Sequence, residues 1–298
     1  MINRSGGTAA SLGDALAETI TTAFAEAGAR ITLELLDADE MASALERHRG
    51  APVIAVGGGD GTIASAAAVL ANSLTALAIL PLGTRNHLAR QLGVPLDLAE
   101  AAQSSVCGQR RRIDLGMAGE RVFINNASFG LYTRFVRQRE ADDRSYWRAT
   151  LSAAWNALRN VRAQYFTLRV DGASSVIATP LLFIGNNEYS MRPGQLGRRE
   201  SLTEHQLSLY AVAAKHPGEL IGLATRALFG FAQPPRDFLE YGSAREVVIE
   251  GAGVIEGTFD GEVAVLSLPL RLRTLPNALG VVTPPENAEP ERTLTRIH

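Results

Sequence analysis

Two glycine-rich turns, each directly after an apolar run, constrain the fold of this chain more than any other feature. The first is Gly-Gly-Gly-Asp-Gly-Thr at residues 57–62, after "APVIAV", and the second is Pro-Leu-Gly-Thr-Arg-Asn at residues 81–86, after "TALAIL". A sequence typical of a helix follows each turn. Strand–turn–helix units with short connections predict a parallel, doubly wound sheet, with both turns at the carboxyl edge where ligands of such sheets bind.

The alternation of helical and strand-like runs extends over residues 1–116, which we interpret as an α/β nucleotide-binding domain. Within it, "SLGDALAETITTAFAEAG" predicts one amphipathic helix that ends at Gly28, and the next run, "ARITLELL", predicts a strand. Asp37 and Glu40 have the spacing of a capping box for a helix through Arg47.

After Asp114 the sequence changes to short, turn-punctuated runs that are typical of strands. We interpret residues 117–274 as a mostly antiparallel, β-rich domain, so the predicted fold class is α/β plus β. The tail at 285–298 is rich in proline and charge and is expected to be disordered.

The composition excludes several classes of function. The 298 residues carry a net charge of −2, one cysteine and one lysine, Lys215. A near-neutral chain has no overall charge that would attract nucleic acid. A lone cysteine cannot form an internal disulfide. The residues around Lys215 do not have the spacing of a phosphate-binding loop. No apolar run approaches the roughly 20 residues that span a bilayer. We therefore expect no transmembrane segment and a cytoplasmic protein, while the oligomeric state stays open.

The first turn has the residue types of a phosphate cradle. Glycines at a strand–helix junction let a phosphate approach the free N–H groups at the positive end of the helix dipole. The carboxylate of Asp60 would repel a phosphate unless it faces a metal or a substrate hydroxyl. Its presence in this turn therefore favours a role in a reaction. The alternative is a tight turn that Asp60 merely caps. The candidate residues of this turn are Gly58, Gly59, Asp60, Gly61 and Thr62.

Two further corners offer the same residue types. Gly83, Thr84 and Asn86 form a second cradle after the next strand, in which Asn86 could bridge the two loops or orient a substrate group. Near the N-terminus, Asn3, Ser5 and Gly6 precede the first helix and could close over the phosphates.

These three segments together resemble the diacylglycerol kinase catalytic-domain family. The motifs are Asn-x-Ser-Gly, Gly-Gly-Asp-Gly-Thr and Pro-Leu-Gly-Thr-x-Asn-x-x-Ala-Arg, and later "RIDLG", "FINNASFG", "GNNEY" and "FDGE" fit the same family. The family includes bacterial soluble lipid kinases and sphingosine kinases, and it is distantly related to NAD kinases and phosphofructokinases. The resemblance covers roughly residues 2–283.

The resemblance implies a kinase that uses ATP and Mg²⁺ to phosphorylate a lipid hydroxyl, such as that of diacylglycerol or a sphingoid-like alcohol. The N-terminal domain would bind ATP, the β-rich domain would hold the lipid, and the active site would lie in the cleft between them. A returning segment, at about 275–284, would rejoin the first domain. Asp60 and Asp114 would hold magnesium, Glu262 would be the catalytic proton acceptor, and Asp60 would be the second catalytic residue.

Three departures from the family pattern stand out. His87 stands where the family often has aspartate, and its role stays open between packing and catalysis. The stretch with Thr203, Glu204 and His205 replaces an Asp-Asp-Gly that the family frequently uses for a structural metal, so we do not expect a second metal there. Since only two residues precede Asn3, either the start codon is misplaced or the first strand is very short.

Two alternatives to a lipid kinase stay open, namely a NAD-kinase-like small-molecule kinase and a non-catalytic nucleotide- or lipid-binding protein. A lipid kinase must meet its substrate at a membrane, as a peripheral protein at the inner face. The best candidate surface is a basic helix predicted over about 144–163 with Trp147 and Trp155 on one face, although such a stripe more often packs on a core.

Overall fold

The computed structural model describes residues 1–130, 163–190, 199–213, 219 and 238–285. The chain divides into two compact units, of which the N-terminal unit is Met1–Arg112 with Leu279–His298 and the C-terminal unit is Ile113–Ala278. The predicted fold class is confirmed, because a parallel α/β sheet is combined with antiparallel β-structure. In the part of the chain that the structure describes, no helix has the length and apolar character to cross a membrane.

The N-terminal unit is built on a parallel sheet in the order β2-β1-β3-β4-β16. Its strands are β1 (Ile2–Asn3), β2 (Leu35–Leu36), β3 (Val53–Gly58), β4 (Ala76–Pro81) and the end of β16 (Leu270–Thr283). Every residue of β4 is buried, as expected for an apolar central strand that helices cover on both faces. The returning strand places Gly280 beside Ala76 of β4.

Six described helices cover this sheet. They are α1 (Gly7–Leu12), α2 (Leu16–Glu26), α3 (Met41–Arg47), α4 (Asp60–Leu70), α5 (His87–Gln91) and α6 (Leu98–Cys107). The single helix predicted up to Gly28 is wrong, because Gly13, with a φ of +51°, breaks it and a 3₁₀ turn separates α1 from α2. The predicted strand before Asp37 is also too long, since only Leu35 and Leu36 join the sheet.

The C-terminal unit contains an antiparallel six-stranded sheet in the order β12-β11-β10-β7-β14-β15. Its strands are β7 (Asn126–Gly130), β10 (Leu181–Asn186), β11 (Leu207–Val212), β12 (Phe238–Ala244), β14 (Val254–Phe259) and β15 (Glu262–Ser267). Asp260 and Gly261 join the last two strands in a two-residue turn, with φ values of +50° and +94°. Positive φ at both central residues is the geometry that an Asp-Gly hairpin turn favours.

A second antiparallel layer packs on this sheet. It contains β5 (Gln109–Ala118), β6 (Arg121–Phe123), β8 (Gln164–Val170), β9 (Ala173–Thr179), β13 (Glu246–Ile249) and the first part of β16. Buried side chains from both layers, among them Phe129, Leu168 and Leu209, form one core. The predicted basic helix at about 144–163 lies outside the described residues, as does nearly all of the predicted tail.

Candidate active site

The two glycine turns lie side by side at the carboxyl ends of adjacent strands. Gly58 at the end of β3 pairs with Pro81 at the end of β4, so the loops that follow begin at the same level. A Cβ at Gly83 would lie 2.5 Å from the Cα of Gly59, a separation that real structures do not show. Close contact between the two backbones is therefore what requires glycine at Gly83.

Gly59 has an ordinary conformation. Its φ is −85°, and a Cβ there would meet only the Cα of Gly83, at 3.7 Å. The backbone of Gly59 is therefore not in the left-handed region, and the turn does not need glycine there for that reason. Gly58 is more confined, since a Cβ there would lie 2.7 Å from the Cβ of Thr62.

Helix α4 begins two residues earlier than the sequence indicates, at Asp60 rather than near Thr62. The first N–H to reach a helical carbonyl is that of Ile63, which donates to Gly59 O at 3.1 Å. The amides of Asp60, Gly61 and Thr62 belong to the first turn, where N–H groups have no partner within the helix. The structure therefore gives the first turn the amides that an anion requires.

Asp60 connects the two glycine turns. Its Oδ1 accepts a hydrogen bond from the backbone N–H of His87 at 2.7 Å. Asp60 is therefore not a simple cap of its own helix. Among the described contacts, Oδ2 stays available to a cation or a substrate hydroxyl. His87 acts here through its main chain, and its side chain is exposed.

Asn86 closes its own loop and does not bridge the two turns. Its Oδ1 accepts from Gly83 N at 3.0 Å, while its Nδ2 donates to Gly83 O at 2.7 Å and to Pro81 O at 3.2 Å. Asn86 also has a left-handed conformation, with a φ of +50°, which asparagine tolerates better than most residues. Its side chain shapes the loop, while Thr84 in the same loop is exposed.

The third corner joins this arrangement through Asn3. Its Nδ2 donates to Thr62 Oγ1 at 2.9 Å and its Oδ1 accepts from Ser5 N at 3.0 Å. Thr62 thus accepts a bond from Asn3 and keeps its own hydroxyl proton for another partner. Thr8 N donates to Leu82 O at 3.0 Å, which connects the start of α1 to the second loop. The structure brings all three predicted corners together.

Asp37 is a supporting residue that the sequence analysis missed. Its carboxylate accepts hydrogen bonds from Ser5 Oγ at 2.9 Å and from Arg4 Nε at 2.9 Å, so it holds the first corner in place. The Arg4 hydrogen bond, assisted by that of Ser5, lowers the pKa of Asp37 from 3.8 to about 2. Only half of the predicted capping box forms, because Glu40 accepts from Asp37 N at 3.0 Å while the Asp37 side chain turns to the first corner.

We expect Asp37→Asn to weaken nucleotide binding a few-fold, because it loosens Ser5 and Arg4. A lowered pKa in the folded state means that the stabilisation is present above pH 3.8 and is lost as the pH falls towards 2. The difference in Tm between wild type and variant should therefore be larger at pH 6 than at pH 3, and it should be small because the pair is exposed. Asp39→Asn, in the same exposed turn, is the control; an equal effect of that variant would remove the specific role of Asp37.

Gly83→Ala should separate the two glycine turns, because its Cβ cannot fit against Gly59. We expect nucleotide affinity to fall at least roughly tenfold, equivalent to about 1.4 kcal/mol. Gly50→Ala is the matched control, since a Cβ at Gly50 has nothing within 4 Å. Isothermal titration with ATP and Mg²⁺ measures both variants, and unchanged affinity in folded Gly83→Ala would show that the contact is irrelevant to binding.

Arg85 and Arg112 differ in whether their positions suit a phosphate bound in the cradle. Arg112 donates a hydrogen bond to Ser73 O at 3.1 Å. Ser73 precedes β4, so this contact lies at the opposite end of that strand from the glycine turns. Arg85 lies within the second loop, with an exposed side chain. Of the two, Arg85 alone has a position suited to a phosphate in the cradle.

Glu262 is the first residue of β15, directly after the Asp260–Gly261 turn. Its Oε2 accepts a hydrogen bond from Arg121 Nη2 at 2.6 Å, and 56% of its side chain is exposed. The carboxylate is thus oriented by Arg121 of β6, a strand of the second layer, and is accessible to a substrate.

Asp260 has a different role from Glu262 in the same "FDGE" motif. Its carboxylate accepts backbone hydrogen bonds from Ile124, Asn125 and Asn126 at 2.6, 2.7 and 3.2 Å. Burial raises the pKa of Asp260, against the opposing effect of these bonds. Asp260 therefore fixes the hairpin that presents Glu262.

Asp114, the second residue expected to hold magnesium, is fully enclosed. Its Oδ1 accepts from Asn277 N at 2.8 Å and lies 2.8 Å from His205 Nδ1, while Oδ2 accepts from His205 N at 2.7 Å. None of its side chain is exposed. A magnesium ion would have to displace these groups, and we leave Asp114 out of the metal site that we propose below.

The stretch around Glu204 also uses its polar groups internally. Glu204 Oε2 accepts from Glu188 N at 2.7 Å, and Glu204 N donates to Asn187 Oδ1 at 2.9 Å. Among the residues that the structure describes, no three His, Cys, Asp or Glu side chains are grouped as a metal site. Asp60 still fits a magnesium ion that is carried by nucleotide phosphates, because Mg²⁺ in such sites needs only one or two protein carboxylates.

The family and the curated relatives that this chain resembles match its N-terminal part. Residues 1–118 match the family model described as diacylglycerol kinase catalytic domain. The resemblance seen in the sequence motifs is thereby confirmed over residues 1–118. This match includes all three corners of the cradle and Asp114, and it ends before Glu262.

Curated relatives match the same part of the chain. A protein of Pseudomonas syringae pv. tomato named "Probable lipid kinase YegS-like" is 39% identical over 123 residues, which are 39% of this chain and 38% of that relative. "Probable lipid kinase YegS" of Escherichia fergusonii is 37% identical over 114 residues, covering 37% of this chain and 38% of the relative. The alignments thus span well under half of the length of these relatives.

A solved structure resembles nearly the whole chain. The crystal structure of a diacylglycerol kinase from Bacillus anthracis has a TM-score of 0.68 and 22% sequence identity, and the match covers 95% of each chain. At this identity the similarity establishes the shared fold.

Proposed function

We propose that this protein is a lipid kinase that transfers the γ-phosphate of ATP to a lipid hydroxyl. The observation that carries the proposal is the convergence of three loops on the first turn of α4, with Asp60 joined to His87 N at 2.7 Å. The diacylglycerol kinase family match over residues 1–118 and the names of the curated relatives support it.

The N-terminal unit supplies the phosphate site in this proposal. Backbone amides at the start of α4 and in the second loop bind the phosphates, the Thr62 hydroxyl donates a further hydrogen bond, and Arg85 contributes positive charge. Asp60 would hold a magnesium ion, which would neutralise charge on the phosphates.

The C-terminal unit supplies the proton acceptor. The lipid oxygen forms a bond to the γ-phosphorus while the bond from that phosphorus to the bridging oxygen of ADP breaks. The hydroxyl proton passes to Glu262, whose carboxylate Arg121 orients. The acceptor is a diacylglycerol or a sphingoid-like alcohol, which the protein meets at a membrane surface as a peripheral enzyme.

Two measurements test the proposal. Thermal denaturation with and without ATP and Mg²⁺ should show a rise in Tm, because a ligand that binds the folded state stabilises it. Transfer of labelled phosphate from ATP should then be measured to vesicles with diacylglycerol, to vesicles with sphingosine, and to NAD. Transfer to NAD alone would replace the proposal with a NAD-kinase-like activity, and nucleotide binding without transfer to any acceptor would indicate a non-catalytic protein.

A further inference from the structure

Segment 124–126 joins β6 to β7 and lies against the turn that precedes Glu262. Its three backbone N–H groups donate to the carboxylate of Asp260, and the N–H of Asp260 donates in return to Asn126 O at 3.0 Å. Asp260 is two positions before Glu262, and Arg121, which orients Glu262, is three positions before the segment. Groups on this segment therefore lie near the proposed proton acceptor.

A buried arginine holds the other side of the segment. Arg199 is 9% exposed, and its Nη1 donates to Ile124 O at 2.7 Å and to Asn186 O at 3.2 Å. Its Nη2 donates to the side-chain oxygen of Asn125 at 2.8 Å. Its guanidinium carbon lies 5.8 Å from the centre of the Tyr189 ring. The main chain and one side chain of the segment thus share a single planar partner.

The contact with Arg199 fixes which way the amide of Asn125 faces. A guanidinium has N–H donors and no acceptor, so the amide atom that faces Arg199 must be Oδ1. The Nδ2 group is then turned away from the guanidinium. In the part of the chain that the structure describes, Nδ2 has no hydrogen-bond partner, and the residue is half-buried rather than enclosed. Asn125 therefore presents a donor of fixed direction to an accessible surface.

We propose that Asn125 binds the lipid acceptor, with Nδ2 donating to a lipid oxygen next to the reacting hydroxyl, and that Arg199 is the positioning residue that holds the amide in this orientation. The inference rests on the proposed kinase function, because it places the reacting hydroxyl at Glu262. A carboxylate selects the hydroxyl, whose proton it takes, while an NH₂ donor selects an oxygen with free lone pairs. Both candidate acceptors carry such an oxygen, an ester oxygen in diacylglycerol and a second hydroxyl in a sphingoid alcohol.

The Asn125→Asp variant removes the donor and little else. Aspartate has nearly the same shape and keeps an oxygen on Arg199, but it replaces the outward NH₂ by an oxygen that only accepts. Burial lowers the pKa of Arg199, and a carboxylate beside the guanidinium offsets part of that cost. We therefore expect the variant to fold with a Tm close to that of wild type.

Lipid binding without nucleotide provides the readout. The probes are dioctanoylglycerol and a short-chain sphingoid alcohol, and isothermal titration gives the Kd of each. The Kd of the lipid that wild type binds should rise at least about tenfold in Asn125→Asp, because a hydrogen bond is lost and two acceptor oxygens face each other. The Kd of ATP with Mg²⁺ should not change. Asn72→Asp makes the same chemical change in an exposed turn of the N-terminal unit and is the control.

Arg199→Lys tests the positioning role. Lysine keeps the charge but lacks the planar fork that reaches Ile124 O and Asn125 Oδ1 together. The lipid Kd should rise in Arg199→Lys, and the double variant should bind lipid no more weakly than Asn125→Asp alone, because Arg199 acts through the amide. Effects that multiply would overturn this role. Arg199→Gln, which buries no charge, takes the place of Arg199→Lys if the lysine variant does not fold.

Failure of this inference can be told apart from failure of the kinase proposal. Wild-type lipid Kd in folded Asn125→Asp would overturn the inference alone, and so would an equal rise in the Kd of ATP, which would assign the amide to the nucleotide. Lipid binding that depends on Asn125, in a wild type that transfers no phosphate, would remove the kinase proposal and keep the binding role. A wild type that binds neither lipid would overturn both.

Discussion

Asp60→Asn should lower kcat by roughly 10²-fold or more while leaving the fold intact, the magnitude seen when one group that stabilises transferring charge is removed. Asparagine keeps an oxygen that can accept the His87 N–H, so the connection between the two glycine turns survives. The change removes the negative charge at Oδ2, which in our proposal holds magnesium. The apparent affinity for Mg²⁺ should fall together with kcat.

Two controls separate charge from loop structure. His87→Ala keeps the backbone N–H that donates to Asp60, so it should retain most of the wild-type kcat; a large loss would assign a role to the exposed imidazole instead. Asp39→Asn makes the same chemical change in an exposed turn of the same unit and should be neutral. Wild-type turnover in Asp60→Asn, measured by labelled phosphate transfer, would reduce Asp60 to a structural connection between loops.

The sequence predicts the position of the cradle well, because the determinants are local. An apolar run followed by glycines and a helical sequence specifies where β3 and β4 end, and parallel strands place their carboxyl ends at one edge. The Asp260–Gly261 turn is determined just as locally, since its two positive φ values suit these residue types. Such features depend on a few adjacent residues.

The partners of polar side chains were harder to predict, because they depend on contacts distant in sequence. Asp37 supports the first corner from 33 positions away along the chain. Asp114 bonds to His205, 91 positions later, and to Asn277, 163 positions later. Nothing near Asp114 in the sequence indicates that its oxygens are occupied, so the motif alone suggested a metal ligand.

The length of β2 shows a second kind of limit. The run at residues 29–36 has a strand-like sequence, yet only Leu35 and Leu36 are in the sheet, because β1 offers no further partner. Strand formation requires a neighbouring strand, and local propensity cannot supply one. The prediction of the strand was reasonable for the sequence, and it was wrong over most of its length because the two residues of β1 pair only with Leu35 and Leu36.

The proposed role of Glu262 gives the other large effect. Glu262→Gln should lower kcat by about 10²–10⁴-fold, equivalent to roughly 3–5 kcal/mol of barrier, because glutamine cannot accept the proton of the lipid hydroxyl. Glutamine retains an oxygen that can bond to Arg121. The lost ion pair is partly exposed, so the free energy of unfolding should fall by no more than about 1 kcal/mol.

Affinity for ATP distinguishes the roles that Glu262 could have. All three corners of the cradle belong to the N-terminal unit, so the Kd of ATP with Mg²⁺ should be unchanged in Glu262→Gln while kcat falls. Glu240→Gln, on exposed β12 of the same unit, is the matched control and should keep wild-type values of both. A collapse in ATP affinity would instead make Glu262 a magnesium ligand. If Glu262→Gln keeps most of its kcat, the proton goes elsewhere, and Asp60 becomes the next candidate for the base.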